Sequence, residues 1–418
     1  MTIEQPPLRN DCFAMPPGVD WTPVDVALET LRAGLSPVVG VETVALDAAM
    51  GRVLAEDVVA RRSHPPAANS AVDGYGMALG SLGQPPHTLP LVEGRSAAGE
   101  AYEGYVPAGH AIRILTGALI PKGVDAVVLE EDCAITDTHI SFSAGLKPGA
   151  NVRPAGEDIG KGDEVARPGR VLSVGDVATF ASVGVNAVAL RKPLHVGVLS
   201  TGDELVEPGS TDNPARTYDA NRPMLLSLIR AWGYVPVDLG HVADDRNDLR
   251  ARLDGARVDA ILTSGGASAG DEDHVSALLG EVGTRSVWRI AMKPGRPLAL
   301  GLWNGVPVFG LPGNPVAAFV CSLIFARPSL SVLAGAAWVA PRAYTLPAAF
   351  RKRKKPGRRE YLRARLTQDG AVEVFPSEGS GRVSGLAWAD GLVELPDEAV
   401  DINPGDPVRY LPFRDFGL

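Results

Sequence analysis

Residues 194–205 read LHVGVLSTGDEL, an apolar run from Leu194 to Leu199 that breaks into Ser-Thr-Gly-Asp-Glu. Such a run reads as a strand, and the glycine-rich segment after it as a turn at the strand's carboxyl end. The alternation continues downstream. Helical spacing spans Pro223 to Trp232 and Arg246 to Leu253, and apolar runs span Val235 to Leu239 and Val258 to Thr263. A helix is predicted over 272–282, strands near Val287 to Ala291, Leu298 to Gly301 and Val306 to Phe309, and a long helix after Asn314-Pro315. Strands alternating with helices predict a parallel α/β domain over 193–338, a fold that takes ligands beyond the carboxyl ends of its strands.

Outward from this domain the pattern changes twice. Toward the N-terminus, Val24, Ala27, Leu28 and Leu31 recur at helical spacing, with Thr22 as N-cap, Pro23 at the first helical position and Gly34 near the end. Short apolar runs from Val41 to Ala60 end at Ser63-His64-Pro65-Pro66, which puts a boundary near residue 61. Strand-like runs at Thr88 to Val92, Ala111 to Leu115 and Ala126 to Leu129 predict a mostly β inserted domain over 61–149. A helix is predicted around Val174 to Ser182, and residues 1–60 with 150–192 read as one discontinuous N-terminal domain. After Val339 the pattern is wholly β, with a basic segment from Arg351 to Arg359, so 339–418 is expected to be a small β-barrel. The fold class is therefore α/β and β, multidomain.

Composition bounds the function. At 418 residues the chain exceeds one ordinary core, and 47 Gly with 35 Pro describe a turn-rich folded protein. Lys plus Arg number 40 against 49 Asp plus Glu, which disfavours binding to nucleic acid or to an anionic membrane. No basic-flanked leader and no stretch of membrane-spanning length stands out, so the protein reads as cytoplasmic. Cys12, Cys133 and Cys321 are far apart and make neither a disulfide framework nor a thiolate cage, and the His residues lack metal-ligand spacing. Any metal is expected to be held by oxygen.

Three glycine-rich segments follow strands: Ser200-Thr201-Gly202-Asp203-Glu204, Ser264-Gly265-Gly266-Ala267-Ser268-Ala269-Gly270-Asp271 and Leu311-Pro312-Gly313-Asn314-Pro315. Their glycines let backbone N–H groups approach phosphate oxygens; taken singly, each also reads as a tight turn with a helix cap, Asn314 before Pro315 being an example. Asp203, Glu204, Asp244, Asp245, Asp271 and Asp273 sit at the same edge, and hard oxygen ligands beside phosphate suit Mg²⁺. Asp245 and Asp271 read equally as helix caps. Lys293 and Arg296, with Arg289 before them, place cations in a loop stiffened by two prolines, which suits anion recognition.

Together, SAVDGYG (70–76), RILTGA (113–118), PKGVDAVVLEE (121–131), GEDIGKGD (156–163), STGDEL (200–205), YDANR (218–222), SGGASAGDED (264–273), MKPGRPLALG (292–301) and LPGNPVAAF (311–319) resemble the molybdopterin molybdenumtransferase family, the bacterial MoeA proteins and the E domain of gephyrin. The resemblance covers most of the chain. It implies a discontinuous domain, an inserted domain, a molybdopterin-binding α/β domain and a C-terminal β-barrel. It also implies a homodimer whose cleft lies between the α/β domain of one subunit and the inserted domain of the other. The substrates implied are adenylylated molybdopterin and molybdate, with Mg²⁺ as cofactor and AMP released.

By motif, the resemblance implies catalytic roles for Asp73, Thr116, Glu204, Asp244, Asp273 and Lys293, with Glu204, Asp244 and Asp273 linked to the metal. It implies substrate contacts at Arg153, Gly202, Asp203, Gly265, Gly266, Ser268, Arg289, Arg296, Pro312, Gly313, Asn314 and Ser384. Two departures stand out: GASAGDED where the family commonly has valines and an aromatic, and Arg296 where Lys is usual, which keeps the charge but changes the hydrogen-bond geometry. Rival readings are the preceding step, adenylylation of molybdopterin by ATP, a noncatalytic scaffold of the gephyrin kind, and a generic nucleotide-binding phosphatase.

Overall fold

A computed structural model describes residues 21–143, 145–211, 213–265, 274–281, 286–295 and 297–418. The run that starts at Leu194 forms β1, His195–Thr201, buried along its length after the first residue. It belongs to a six-stranded sheet with β2 (Val235–Val242), β3 (Ala260–Ser264), β4 (Ser286–Arg289), β5 (Pro297–Trp303) and β6 (Val306–Leu311), in the order β2-β1-β3-β6-β5-β4. Side chains alternate between two cores. Val196, Val198, Leu262 and Phe309 pack with the helices Asn221–Ala231 and Pro315–Cys321, while Leu199, Ile261 and Val308 pack with Arg246–Gly255 and His274–Glu281. Burial on both faces explains why these strands read as continuous apolar runs.

The sheet is mixed, not wholly parallel as expected. β2, β1, β3 and β6 are parallel, but β5 runs antiparallel to both β6 and β4. The cause is local: Asn304-Gly305 joins β5 to β6 with φ of 49° and 84°, a two-residue hairpin turn that sends the chain straight back.

The chain forms two compact units, one ending at Val41 and resuming over Arg191–Leu418, the other spanning Glu42–Leu190. The helix Val24–Gly34 buries Val24, Ala27 and Leu31 in the α/β core, so it packs with the first unit. Thr22 does not cap it. Its backbone instead bridges to the strand region after β4, accepting from Ala291 N–H (2.9 Å) and donating to Arg289 O (2.9 Å).

The long helix after Asn314 comprises Pro315–Cys321, a π-helical turn Ser322–Ala326 and Arg327–Leu333. Pro328 has no N–H to give and crowds the carbonyl four residues back, and the wider turn before it relieves both problems. This 19-residue segment is long and apolar enough to cross a membrane, contrary to the sequence expectation, yet 89% of its apolar window is buried in the core.

In the same unit, Met292–Lys293, Arg359–Leu366, Val372–Val374, Gly391–Leu395, Pro407–Pro412 and Tyr344–Pro347 form a second mixed sheet. Two residues of the basic segment are tied into the fold. Arg359 holds Asp25 through two bonds (2.7 and 2.8 Å) and Asp397 (3.1 Å), and the buried Lys354 donates to the carbonyls of Lys355 and Glu398.

The second unit holds a six-stranded sheet ordered Ala126–Leu129, Gly74–Met77, Ala111–Ile114, His87–Ser96, His139–Phe142, Ala134–Ile135. A separate core gathers Leu54, Val58, Phe180 and Leu190 beside the helix Val174–Ser182.

Candidate active site

The parallel register decides which loops meet. Ser200 pairs with Ser264 and His241, and Ser264 with Leu311, so Gly202, Gly265 and Pro312-Gly313 all leave the sheet at one edge. Arg289, at the end of β4 opposite Pro297, reaches the same edge. Gly265 has φ +93°, and a Cβ there would lie 2.5 Å from the Thr201 carbonyl oxygen; only glycine permits this approach. Gly313 lies close by, its would-be Cβ 3.7 Å from Gly265 Cα.

One side chain that the sequence reading did not single out ties these loops together. Asn221 is 6% exposed, and its Nδ2 donates to Ser264 Oγ (2.6 Å) and Gly313 O (2.7 Å). Because the Gly313 carbonyl can only accept, the amide orientation is fixed. Its signal lay inside YDANR, but nothing in the sequence showed which loops it would reach. Among the described residues, Asn221 Oδ1, Thr201 Oγ1 and Asn314 Oδ1 are buried without a hydrogen-bond partner. Asn314 therefore does not act as the side-chain cap its place before Pro315 suggested. Buried polar atoms left unsatisfied are costly, and these three sit where the glycine loops leave the sheet.

The acidic part is built by reciprocal bonds. Asp244 N–H donates to Asp203 Oδ1 (2.9 Å) and Asp203 N–H to Asp244 Oδ2 (3.3 Å). The Glu204 carboxylate folds over Gly202, where a Cβ would meet its Oε2 at 2.6 Å, and His241 Nε2–H holds the Gly202 carbonyl (2.7 Å). Asp245, by contrast, caps the helix Arg246–Gly255 by accepting from Asn247 N–H and Asp248 N–H. Among the described residues no three His, Cys, Asp or Glu side chains converge as a metal cage. As a donor set, the carboxylates of Asp203, Glu204 and Asp244 offer the oxygen chemistry that suits Mg²⁺, an ion commonly held by one or two acids with waters and phosphate oxygens as its other ligands. Gly266, Ser268, Asp271, Asp273, Arg296 and Cys12 lie outside the described residues.

Lys293 faces a cavity of about 240 Å³ lined also by Val316, Arg351, Lys352, Arg363 and Glu378. It donates to Glu378 Oε2 (2.6 Å), while Lys352 donates to Glu378 Oε1 (2.5 Å) and pairs with the buried Glu360 (3.0 Å). Burial pushes the Glu378 pKa up, but the two lysine hydrogen bonds outweigh it and hold the carboxyl below the usual range. Sequence reading missed Lys352, Arg363 and Glu378, which approach Lys293 only through folding of the C-terminal sheet. Ser384 is exposed at the start of the short helix Ser384–Trp388, and Ser380, just before it, accepts from Val316 N–H (3.3 Å).

In the second unit, Asp73 Oδ1 accepts from both the hydroxyl and the backbone N–H of Thr116, each at 2.7 Å. These bonds hold the exposed Asp73 carboxyl below the usual range. Arg153 is exposed on a strand that pairs with Asn69–Ser70, immediately before the Asp73 turn. Cys321 is buried with its thiol pushed up to about 12, and Cys133 to about 11, so neither is a thiolate at neutral pH.

Three family models match in sequence: the MoeA N-terminal region (domain I and II) over residues 22–184, a probable molybdopterin binding domain over 197–332, and the MoeA C-terminal region (domain IV) over 345–413. A molybdopterin molybdenumtransferase of Haemophilus influenzae is 35% identical over 378 residues, covering 88% of this chain and 93% of that protein. This chain belongs to the molybdopterin molybdenumtransferase (MoeA) family. Molybdopterin molybdenumtransferase 2 of Mycobacterium tuberculosis is 34% identical, over 88% of this chain and 94% of that protein. The crystal structure of a molybdopterin biosynthesis MoeA protein from Pyrococcus horikoshii superposes with a TM-score of 0.82 at 28% identity, covering 94% of this chain and all (100%) of that one. The family's molybdopterin-binding segment contains the three glycine loops, Asn221, the Asp203–Asp244 pair and Lys293. Asp73, Thr116 and Arg153 lie in the MoeA N-terminal match, Ser384 in the C-terminal one.

Proposed function

We propose that this protein is a molybdopterin molybdenumtransferase of molybdenum cofactor biosynthesis, which inserts molybdate into adenylylated molybdopterin and releases AMP by hydrolysis of the phosphoanhydride. The reading rests on the group of unsatisfied buried oxygens at the strand edge, beside glycine loops that admit a phosphate-bearing ligand. The loops at Gly202, Gly265 and Gly313, continued by Gly266 and Ser268, bind the nucleotide and pterin phosphate, while the N–H groups of Gly202 and Gly265 themselves stay on the Val242 and Leu311 carbonyls (3.3 Å each). Asn314 and Asn221 accept hydrogen bonds from donor groups of the substrate. Lys293, Arg289 and Arg296 hold molybdate next to the dithiolene, and the cavity beside Lys293 has the charge and size for a tetrahedral oxyanion.

Glu204 and Asp244, with Asp273, would hold Mg²⁺, which supplies Lewis-acid stabilisation of charge on the phosphoanhydride when bound. The enzyme is a cytoplasmic homodimer, in which Asp73, Thr116 and Arg153 of one subunit complete the strand edge of the other. Asp73 arrives ionised, because Thr116 has already fixed its carboxylate. Ser384 contributes a contact from the C-terminal sheet.

Adenylylation of molybdopterin by ATP is the competing reading. Supplying either adenylylated molybdopterin with molybdate or molybdopterin with ATP separates the two. Active cofactor from the first mixture is expected; accumulation of the adenylylated pterin from the second would assign the preceding step instead.

A further inference from the structure

We infer that Glu378 occupies the oxyanion seat of the free protein and sets the affinity of that seat by competing with the incoming anion. The inference deepens the proposed role of Lys293 and rests on it. Among the described residues, four cationic ones, Lys293, Arg351, Lys352 and Arg363, line the cavity together with one acid, Glu378. The Glu378 carboxylate presents one oxygen to each of two ammonium groups, at 2.6 and 2.5 Å. Two oxygens on one anionic centre, each taking a lysine proton, is also how a tetrahedral oxyanion would satisfy the pair.

Exposure shows which partner yields. The Lys293 and Lys352 side chains are 13% and 11% exposed, whereas Glu378 is 41% exposed, so the carboxylate can leave toward solvent while the cations stay. Lys352 does not need Glu378 as its counter-ion, since Glu360, 9% exposed, remains 3.0 Å away. Arg363 donates to the carbonyls of Ser377, Gly379 and Arg382, fixing the backbone on both sides of Glu378. Exchange therefore requires rotation of the Glu378 side chain and not movement of the loop. With its carboxylate swung out, Lys293 and Lys352 each lose one anionic contact and the cavity becomes more positive. A divalent oxyanion recovers more of that attraction than a monovalent anion does, so the competition favours divalent over monovalent ligands.

Calorimetric titration of sodium molybdate into the full chain tests this, using wild type, Glu378→Gln and Glu378→Ala. Both variants are expected to bind molybdate about tenfold more tightly than wild type, the scale of one charge-assisted bond that no longer has to be broken. If Glu378 instead serves to hold the lysines in place, both variants bind equally or more weakly; that result, or no binding by any of the three, overturns the inference. Turnover is read separately: wild type that releases AMP on adding molybdate, with no tightening in the variants, refutes only the role of Glu378. Wild type without molybdate-dependent AMP release refutes the proposed activity, whatever the titration gives.

Discussion

At Asn221 a single amide nitrogen bridges two loops that are far apart in sequence and adjacent in space, and its oxygen is buried without a partner among the described residues. Asn221→Asp keeps the shape but turns a donor toward the Gly313 carbonyl into an acceptor, so the clamp opens and like charges of the substrate are repelled. We expect KM for the adenylylated pterin to rise by about tenfold or more, with kcat less affected, in steady-state assays. An unchanged KM would mean that the loops hold themselves. Gly265→Ala forces a Cβ to within 2.5 Å of a backbone oxygen at positive φ, and thermal unfolding should show a loss of about 2 kcal/mol or more. The glycines of the loops were legible in the sequence because their purpose is local. Asn221, Lys352 and Glu378 were not, because each acts on a partner more than 25 residues away for at least one of its bonds, and no local pattern encodes that.

Among the elements, the helix Val174–Ser182 has the most explicit start. Ser173 accepts from Asp176 N–H, and the Asp176 carboxylate accepts from the Ser173 N–H (2.8 Å) and hydroxyl (2.7 Å). Burial pushes the Asp176 pKa up, but the Ser173 bonds and Arg170 outweigh it and the net shift is downward. A depressed acid stabilises the fold above its unfolded value and loses that contribution as pH falls through its folded one. Asp176→Ala should therefore cost about 1 kcal/mol at pH 7, with the deficit shrinking below about pH 4, as measured by unfolding at both pH values. A deficit independent of pH would point to packing alone. This helix and the strand Ala126–Leu129 match their sequence reading residue for residue, since periodicity and flanking turns agree there. The direction of β5 was misjudged although its signal was present: Asn304-Gly305 between two apolar runs specifies a hairpin, not a crossover. Thr22 looked like a cap because Thr-Pro commonly precedes a helix, but its backbone was taken up by a bridge to a segment about 270 residues later in the chain, beyond the reach of a local rule.

For the whole molecule, the sequence motifs carry the family and the α/β and β multidomain architecture, and they place the glycine loops on one sheet edge. They did not reveal that the helix Val24–Gly34 packs with the α/β core, because an apolar face identifies no partner by itself. The proposed cleft between subunits gives a complementation test. Asp73→Ala and Glu204→Ala proteins, each inactive alone, should recover about a quarter of wild-type activity when co-refolded in equal amounts, because statistical pairing puts one intact site in half of the C2 dimers. No recovery would confine both residues to a single subunit's site or to none.

The most direct test of the central claim is AMP release from purified adenylylated molybdopterin with Mg²⁺, followed with and without molybdate. Release that depends on molybdate, together with cofactor able to activate an apo-molybdoenzyme, is the predicted result. Release that proceeds equally well without molybdate and yields no active cofactor would contradict the account and leave a phosphoanhydride hydrolase in its place.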